Sequence, residues 1–185
     1  DSANAAELGL FSGGVLFNDR GESEVSASIA PQLGAGFAVL TGRWDRGRGF
    51  YTTPADQRAP ASARAKYDSW SLGTRLVQPL SDEIELQARA LIFDDQRTLR
   101  FRGADSTSSG QDASIRLVGR GDWAFELLAY AQWRDFSNIV ISSTRFVPVL
   151  DQHDTPSTGI GGKAELRPPL GEDHVLRLGA DFRRA

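Results

Sequence analysis

Between Trp123 and Trp133 apolar residues recur at every second position, and this alternation constrains the fold more than any other feature of the chain. Trp123, Phe125, Leu127, Ala129, Ala131 and Trp133 make one set. Ala124, Glu126, Leu128, Tyr130, Gln132 and Arg134 make the other, which is mostly polar. A helix would wind both sets around its whole surface, whereas a strand sends alternate side chains to opposite faces. The segment therefore predicts a long strand, greasy on one face and polar on the other.

The same division recurs along the chain. Ile84, Leu86, Ala88, Ala90 and Ile92 oppose Glu85, Gln87, Arg89, Leu91 and Phe93, and Trp70, Leu72, Thr74 and Leu76 oppose Ser69, Ser71, Gly73 and Arg75. Ala113, Ile115 and Leu117 oppose Asp112, Ser114 and Arg116, while Leu176, Leu178, Ala180 and Phe182 oppose Arg177, Gly179, Asp181 and Arg183. Weaker copies lie at Val25, Ala27 and Ile29, and at Ile160, Gly162, Ala164 and Leu166 opposite Lys163, Glu165 and Arg167. Residues 35–45 are ambiguous in phase, and the reading adopted points Trp44 outward and Arg43 inward. With a short strand near residues 7–11 the set comes to about nine. Turn-rich links at 31–34, 79–82, 119–122 and 168–173 alternate with longer polar links at 47–63, 102–110 and 137–156. The expected fold is all-β, an antiparallel up-and-down meander with short turns at one end and long loops at the other. That is the loop asymmetry of outer-membrane barrels.

A soluble two-sheet sandwich also alternates, and 40% hydrophobic residues would suit its core. Strand length separates the two. Trp123 to Trp133 spans roughly 33 Å at ~3.3 Å per residue, and a tilt of ~40° leaves about 25 Å along a membrane normal, the height of a barrel's apolar band. Soluble strands average only ~5–6 residues. Tryptophans at both ends fall where an indole is favoured, at the lipid–water interface. No stretch suits a spanning helix: the longest uncharged one, 25–42, holds Ser26, Ser28, Pro31 and Gln32. A net charge of -3 gives no basic field for nucleic acid, and the absence of cysteine excludes a disulfide scaffold or a thiolate zinc site. Without methionine and opening on Asp1, the chain reads as a processed or excised piece.

Four stretches carry a family likeness. They are Gly42-Arg43-Trp44-Asp45-Arg46-Gly47-Arg48-Gly49-Phe50 at the top of an early strand, Leu127-Leu128-Ala129-Tyr130-Ala131-Gln132-Trp133-Arg134-Asp135-Phe136-Ser137-Asn138 leading into a loop, Thr155-Pro156-Ser157-Thr158-Gly159-Ile160-Gly161-Gly162 descending from it, and His174-Val175-Leu176-Arg177-Leu178-Gly179-Ala180-Asp181-Phe182-Arg183. Together they resemble the barrel of a TonB-dependent receptor of the Gram-negative outer membrane. The resemblance implies that residues 1–185 form one partial domain, the N-terminal part of a 22-stranded transmembrane β-barrel, without the plug or the TonB-contacting box. It further implies a parent that takes up a scarce solute, such as a ferric siderophore, cobalamin or an oligosaccharide, using energy relayed by TonB. Outer-membrane lipid, the parent's own plug, TonB and the solute would be its partners. A passive porin-type or structural barrel is the alternative, and a soluble carbohydrate-binding sandwich a more distant one.

On this reading Arg43, Arg75, Glu85, Arg89, Arg116, Glu126, Arg134, Lys163, Glu165, Arg177 and Asp181 face the lumen, with Asp112 and Arg183 beside them. A wide barrel needs such polarity for water alone, and a ligand path would require several of these side chains to converge. Trp70, Trp123, Phe125, Leu127, Trp133, Leu176, Leu178 and Phe182 face lipid or its interface. Tyr51, Arg58, Asp151, His153 and Asp154 are candidate ligand contacts on the external loops. Little points to catalysis: the two histidines lie in a loop and a turn, no nucleophile elbow is present, and neither a cofactor nor a resident metal is expected. Gly159-Ile160-Gly161-Gly162-Lys163-Ala164 fits a loose dinucleotide pattern, but Pro156 and Pro168-Pro169 leave no room for the helix such a site needs. Asp105 to Gly110 opens like a calcium loop, yet Arg116 stands where the bidentate glutamate belongs, so a polar loop is expected there.

Overall fold

The computed structural model describes residues 9–171 and 174–185. In chain order the strands are β1 (Phe11–Phe17), β2 (Glu22–Ile29), β3 (Gln32–Leu33), β4 (Gly36–Gly47), β5 (Tyr67–Pro79), β6 (Ile84–Thr98), β7 (Asp105–Gly119), β8 (Ala124–Ile141), β9 (Pro148–Gln152), β10 (Ser157–Arg167) and β11 (Leu178–Arg184). The only helical turn among the described residues is 3-10, at Ala55–Gln57. All strands belong to one antiparallel sheet, ordered β1-β2-β4-β5-β6-β7-β8-β10-β11, with β3 attached to β4 and β9 to β8. β1 and β11 form opposite edges and do not pair with each other, so the sheet is open.

The register places the two side-chain sets on opposite faces throughout. Leu86, Leu117, Leu127, Ala164 and Ala180 form one cross-strand row on the apolar face, and Ala38, Leu76, Ala88, Ile115, Ala129, Gly162 and Phe182 form the next. The uncertain phase of residues 35–45 is resolved by Trp44, which pairs with Trp70 on the apolar face, while Arg43 pairs with Ser71 on the other. What obscured it in the sequence is a small apolar cluster on the polar face, where Phe37 and Val77 are cross-strand partners and both are buried.

Nothing in the described structure covers the apolar face. The chain exposes 12622 Å², against about 8,700 Å² expected of a folded globular protein of its mass. Leu127 is 46% exposed, Ile115 51% and Phe182 60%. No side chain among the described residues is fully buried. A soluble domain with its apolar stripe this open would lack the burial that offsets chain entropy.

A separate buried cluster lies at the loop end. Phe101, Ala104 and Ile141 are buried together, with Ala61 and Ile139 against them and the Phe146 ring edge-on to Phe101 at 5.5 Å. Backbone bonds tie the same loops: Ala63 N–H donates to the Arg100 carbonyl and Arg102 N–H to that of Ala61, each at 2.9 Å.

Several strand limits differ from the sequence expectation. β1 begins at Phe11, where the expected strand near residues 7–11 was to end, and residues 7 and 8 lie outside the described ones. Gly13 occupies an apolar-face position there and breaks the visible pattern. The polar stretch 102–110 is mostly strand, because β7 starts at Asp105 and pairs residue for residue with β6. Likewise β8 continues to Ile141, and β9 adds a short strand within the expected loop 137–156. These extensions project past the alternating apolar band; backbone pairing holds them, and Ile139 and Ile141 of β8 also pack into the loop-end cluster. Strict alternation of link length does not persist: the β6–β7 link is only 99–104, and the β10–β11 link runs from 168 to 177. Residues 172 and 173 of that last turn lie outside the described residues.

Candidate functional site

The polar face is a connected surface rather than a scatter of charges. Antiparallel pairing brings β6, β7, β8 and β10 side by side, and their polar residues meet near the short-turn end. Arg120 lies 3.2 Å from Glu85, which accepts a 2.6 Å bond from Gln87 Nε2. Arg116 reaches Gln87 at 3.4 Å and Glu126 at 2.6 Å. Lys163 then joins Glu126 at 3.8 Å to Glu165 at 3.2 Å, and Arg167 closes the chain on Glu165 at 2.5 Å. These groups remain partly exposed, and a single pair of this kind contributes only ~0–1 kcal/mol. Their main effect is to hold a wettable wall in a fixed geometry.

Arg134 forms a second centre: its guanidinium sits 2.6 Å from Asp112 and 4.9 Å from the Phe93 ring centroid. Gly110 is what admits it, since a Cβ there would lie 2.5 Å from Arg134 Nη1 and 2.7 Å from the Trp133 carbonyl oxygen. Arg43 is held between Glu24 at 3.3 Å and Asp45 at 2.6 Å.

Arg75 and Arg89 differ from all of these. They are direct cross-strand partners on the polar face, and among the described residues neither forms an ion pair. Like charges placed opposite each other are unfavourable. They border a hollow of about 550 Å³ that Thr41, Ser114, Tyr130, Gln132 and Asp112 also line, the last with its charge already met by Arg134. Of the polar face, this hollow has the chemistry best suited to an anionic group. Asp181 lies opposite Lys163, whereas Arg177 precedes β11 and so is not placed on either face by pairing.

Of the expected lipid-side residues, Trp70, Phe125, Leu127, Trp133, Leu178 and Phe182 share the apolar face. Trp123 stands one residue before β8 and Leu176 two before β11; both are exposed.

The loop candidates fall into two groups, with no hydrogen bond or ion pair joining them among the described residues. Arg58 lies over the Tyr51 ring at 4.1 Å, while its Nε donates to the Thr53 carbonyl at 3.1 Å. Asp151, on β9, pairs with His153 Nε2 at 2.6 Å. Asp154 adopts φ 47°, and its backbone N–H donates to Ser137 Oγ at 3.2 Å. Among the described residues no cluster of three His, Cys, Asp or Glu side chains could hold a metal.

Tyr130 was missed by sequence reasoning. Its ring covers Gly161 on the neighbouring strand and its hydroxyl accepts a 3.1 Å bond from Arg183 Nε one strand further on, stitching β8, β10 and β11 together. Tyr67 over Gly47 and Phe125 over Gly119 repeat the device of an aromatic ring filling a glycine's space. Only the register reveals such pairs. Gly161→Val would force the Tyr130 ring aside and approach the Phe182 carbonyl, which a Cβ would meet at 2.7 Å. Thermal unfolding should show a clear loss for Gly161→Val, and about 1 kcal/mol or less for Tyr130→Phe, which removes one hydrogen bond and keeps the ring.

Comparison with protein-family models, with curated proteins and with solved structures finds no match to this chain.

Proposed function

We propose that this chain is a section of the wall of a 22-stranded outer-membrane barrel of the TonB-dependent receptor class, a transporter and not an enzyme. The observation that carries the membrane assignment is the uncovered apolar face. It is continuous across the sheet, it has no protein layer against it among the described residues, and three of the four tryptophans lie on it, with Trp123 immediately before β8. Lipid satisfies such a face, and hydrogen bonding along a barrel wall satisfies the backbone within it. The two open edges then pair with further strands of the parent protein. The hydrated, ion-paired face lines the lumen, against water and the parent's plug.

The receptor class rests on the family likeness of residues 42–50, 127–138, 155–162 and 174–183. On this reading the long loops capture a scarce solute, a ferric siderophore, cobalamin or an oligosaccharide, and TonB supplies the energy for its passage. Arg75 and Arg89 face the plug or an anionic part of the solute.

Fractionation and uptake test the proposal together. The full-length protein should remain with the outer membrane until detergent is added, and uptake of its solute should stop when a protonophore collapses the inner-membrane proton gradient. Uptake insensitive to the protonophore would indicate a passive channel. Recovery from the aqueous fraction without detergent would exclude the barrel itself.

A further inference from the structure

A cleft of about 1140 Å³ opens just past the Trp44–Trp70 pair at the loop end of the apolar face. The register puts Ser23, Arg46, Asp68, Gln96 and Thr107 of its lining on that same face, beyond the last apolar row. Gly47, Tyr67 and Arg97 of the lining belong to the opposite, polar face, so the cleft lies at the loop-end rim of the wall, with those five strand residues forming its outer side. Its lining carries six cationic side chains, Arg20, Arg46, Arg48, Arg64, Lys66 and Arg97, against three carboxylates. With Arg97 set aside as a polar-face residue paired to Asp95, the excess is two positive charges in a chain whose net charge is -3.

Two local features hold the site in shape. Trp44 Nε1 donates to Asp68 Oδ1 at 2.9 Å, and the other Asp68 oxygen lies 3.4 Å from Arg46, which links the girdle indole to the first cation above it. The Arg48 side chain crosses Gly21, where φ is 77° and a Cβ would meet Arg48 Cδ at 3.1 Å. Arg97 is already paired with Asp95 at 2.7 Å and the Arg64 guanidinium lies 5.6 Å from the Tyr51 ring centroid, while Arg20, Arg48, Arg64 and Lys66 of the lining have no partner carboxylate within 4 Å among the described residues.

A second, apolar depression of about 330 Å³ lies on the same face one to two rows below the tryptophans. Leu40, Leu72, Ile92 and Trp133 wall it, and the short side chains of Thr74, Ala90 and Ala113 form its floor. A cationic cleft directly above an apolar groove matches one kind of molecule: an amphiphile with an anionic head and hydrocarbon chains.

We propose that this pair of sites binds a phosphorylated membrane lipid, with its phosphates among the Arg46, Arg48 and Lys66 side chains and an acyl chain along the Leu72–Ala90 groove. The inference rests on the reading of this face as lipid-exposed. It adds that one lipid is held specifically and at the loop end of the wall. Phosphate suits the guanidinium groups because they can offer paired N–H donors to its oxygens.

The test uses full-length protein in neutral detergent, with native mass spectrometry reading the bound lipid. The probes are diphosphoryl lipid A, its dephosphorylated form, and inorganic phosphate. Diphosphoryl lipid A should bind, the dephosphorylated form at least about 10-fold more weakly, and inorganic phosphate weaker still for want of the groove. Arg46→Glu, Arg48→Glu and Lys66→Glu combined should weaken lipid binding by about 100-fold or more, from roughly a fivefold contribution per charge near a membrane surface. Lys66→Glu alone, outside the strands, gives a smaller loss in the same direction should the triple variant fail to assemble. Equal binding of the two lipid forms, undiminished binding by Lys66→Glu, or phosphate binding as tight as the lipid's would each overturn the proposal. A protein that stays in the membrane and resists extraction yet gives those results refutes only the lipid site; one that never enters the membrane refutes the barrel as well.

Discussion

Replacing Leu127 with arginine is expected to weaken membrane assembly of the full-length protein by about 2–4 kcal/mol, and replacing Trp133 by only about 0–1 kcal/mol. Leu127 lies in the middle of the apolar face, between Leu117 on β7 and Ala164 on β10. A guanidinium there enters hydrocarbon with no polar group beside it on that face. Trp133 is three positions further along the same face, between Gln111 and Thr158, where the apolar band gives way to polar pairs. An arginine at that depth reaches water and headgroups. Denaturant titration of protein folded into lipid vesicles measures both. Equal losses would mean that the depth assigned to one of the two residues is wrong.

Gly49→Ala should produce the second large effect, confined to the loop end. Gly49 has φ 63°, and a Cβ there would collide with the Ala65 carbonyl and come within 2.9 Å of the Lys66 nitrogen. The close approach exists because residues 50 and 65 are bonded, Ala65 N–H to the Phe50 carbonyl at 2.8 Å, with Tyr51 and Arg64 bridged just beyond. Side-chain strain at such a position costs about 1–3 kcal/mol. The expected outcome is faster amide exchange at Ala65 and new protease cleavage within residues 48–66, while membrane assembly is unchanged. Lipid binding at the cationic cleft should fall too, because Arg48, Arg64 and Lys66 flank the displaced backbone. An unaltered exchange rate at Ala65 would show that the loop is not held by this contact.

The alternation of Trp70 to Leu76, Ile84 to Ile92 and Trp123 to Trp133 made the strands, their faces and the meander legible in the sequence. A side chain's face follows from the period of two alone, wherever apolar and polar residues actually alternate. Legibility ended where alternation ended. Asp105 to Gly110 is strand because β6 and β8 lie on either side and pair with it, and nothing in its serines announces that. The phase around Phe37 was hidden because Phe37 and Val77 bury each other on the polar face. The polar candidates were found as types, but their grouping depends on register: that Arg75 meets Arg89, or that Gln87 links Glu85 to Arg116, requires knowing which residues lie opposite. Tyr130 had no signal of its own, since the glycine it covers is 31 positions away in the sequence. The cationic cleft draws its lining from a hairpin turn, a loop and five strands, and composition averages it into a chain that is negative overall.

The most direct test of the account is a residue-by-residue probe of β8. The chain contains no cysteine, so a single one can be placed in turn at each position from 124 to 134 and spin-labelled in the full-length protein reconstituted into lipid vesicles. Collision with oxygen, which concentrates in hydrocarbon, should dominate at 125, 127, 129 and 131, and collision with a water-soluble nickel chelate at 126, 128, 130 and 132. The two profiles should oscillate with period two and opposite phase. Labels at the odd positions that meet the nickel chelate as freely as their neighbours, or that meet neither reagent as in a packed protein interior, would contradict the lipid-facing wall.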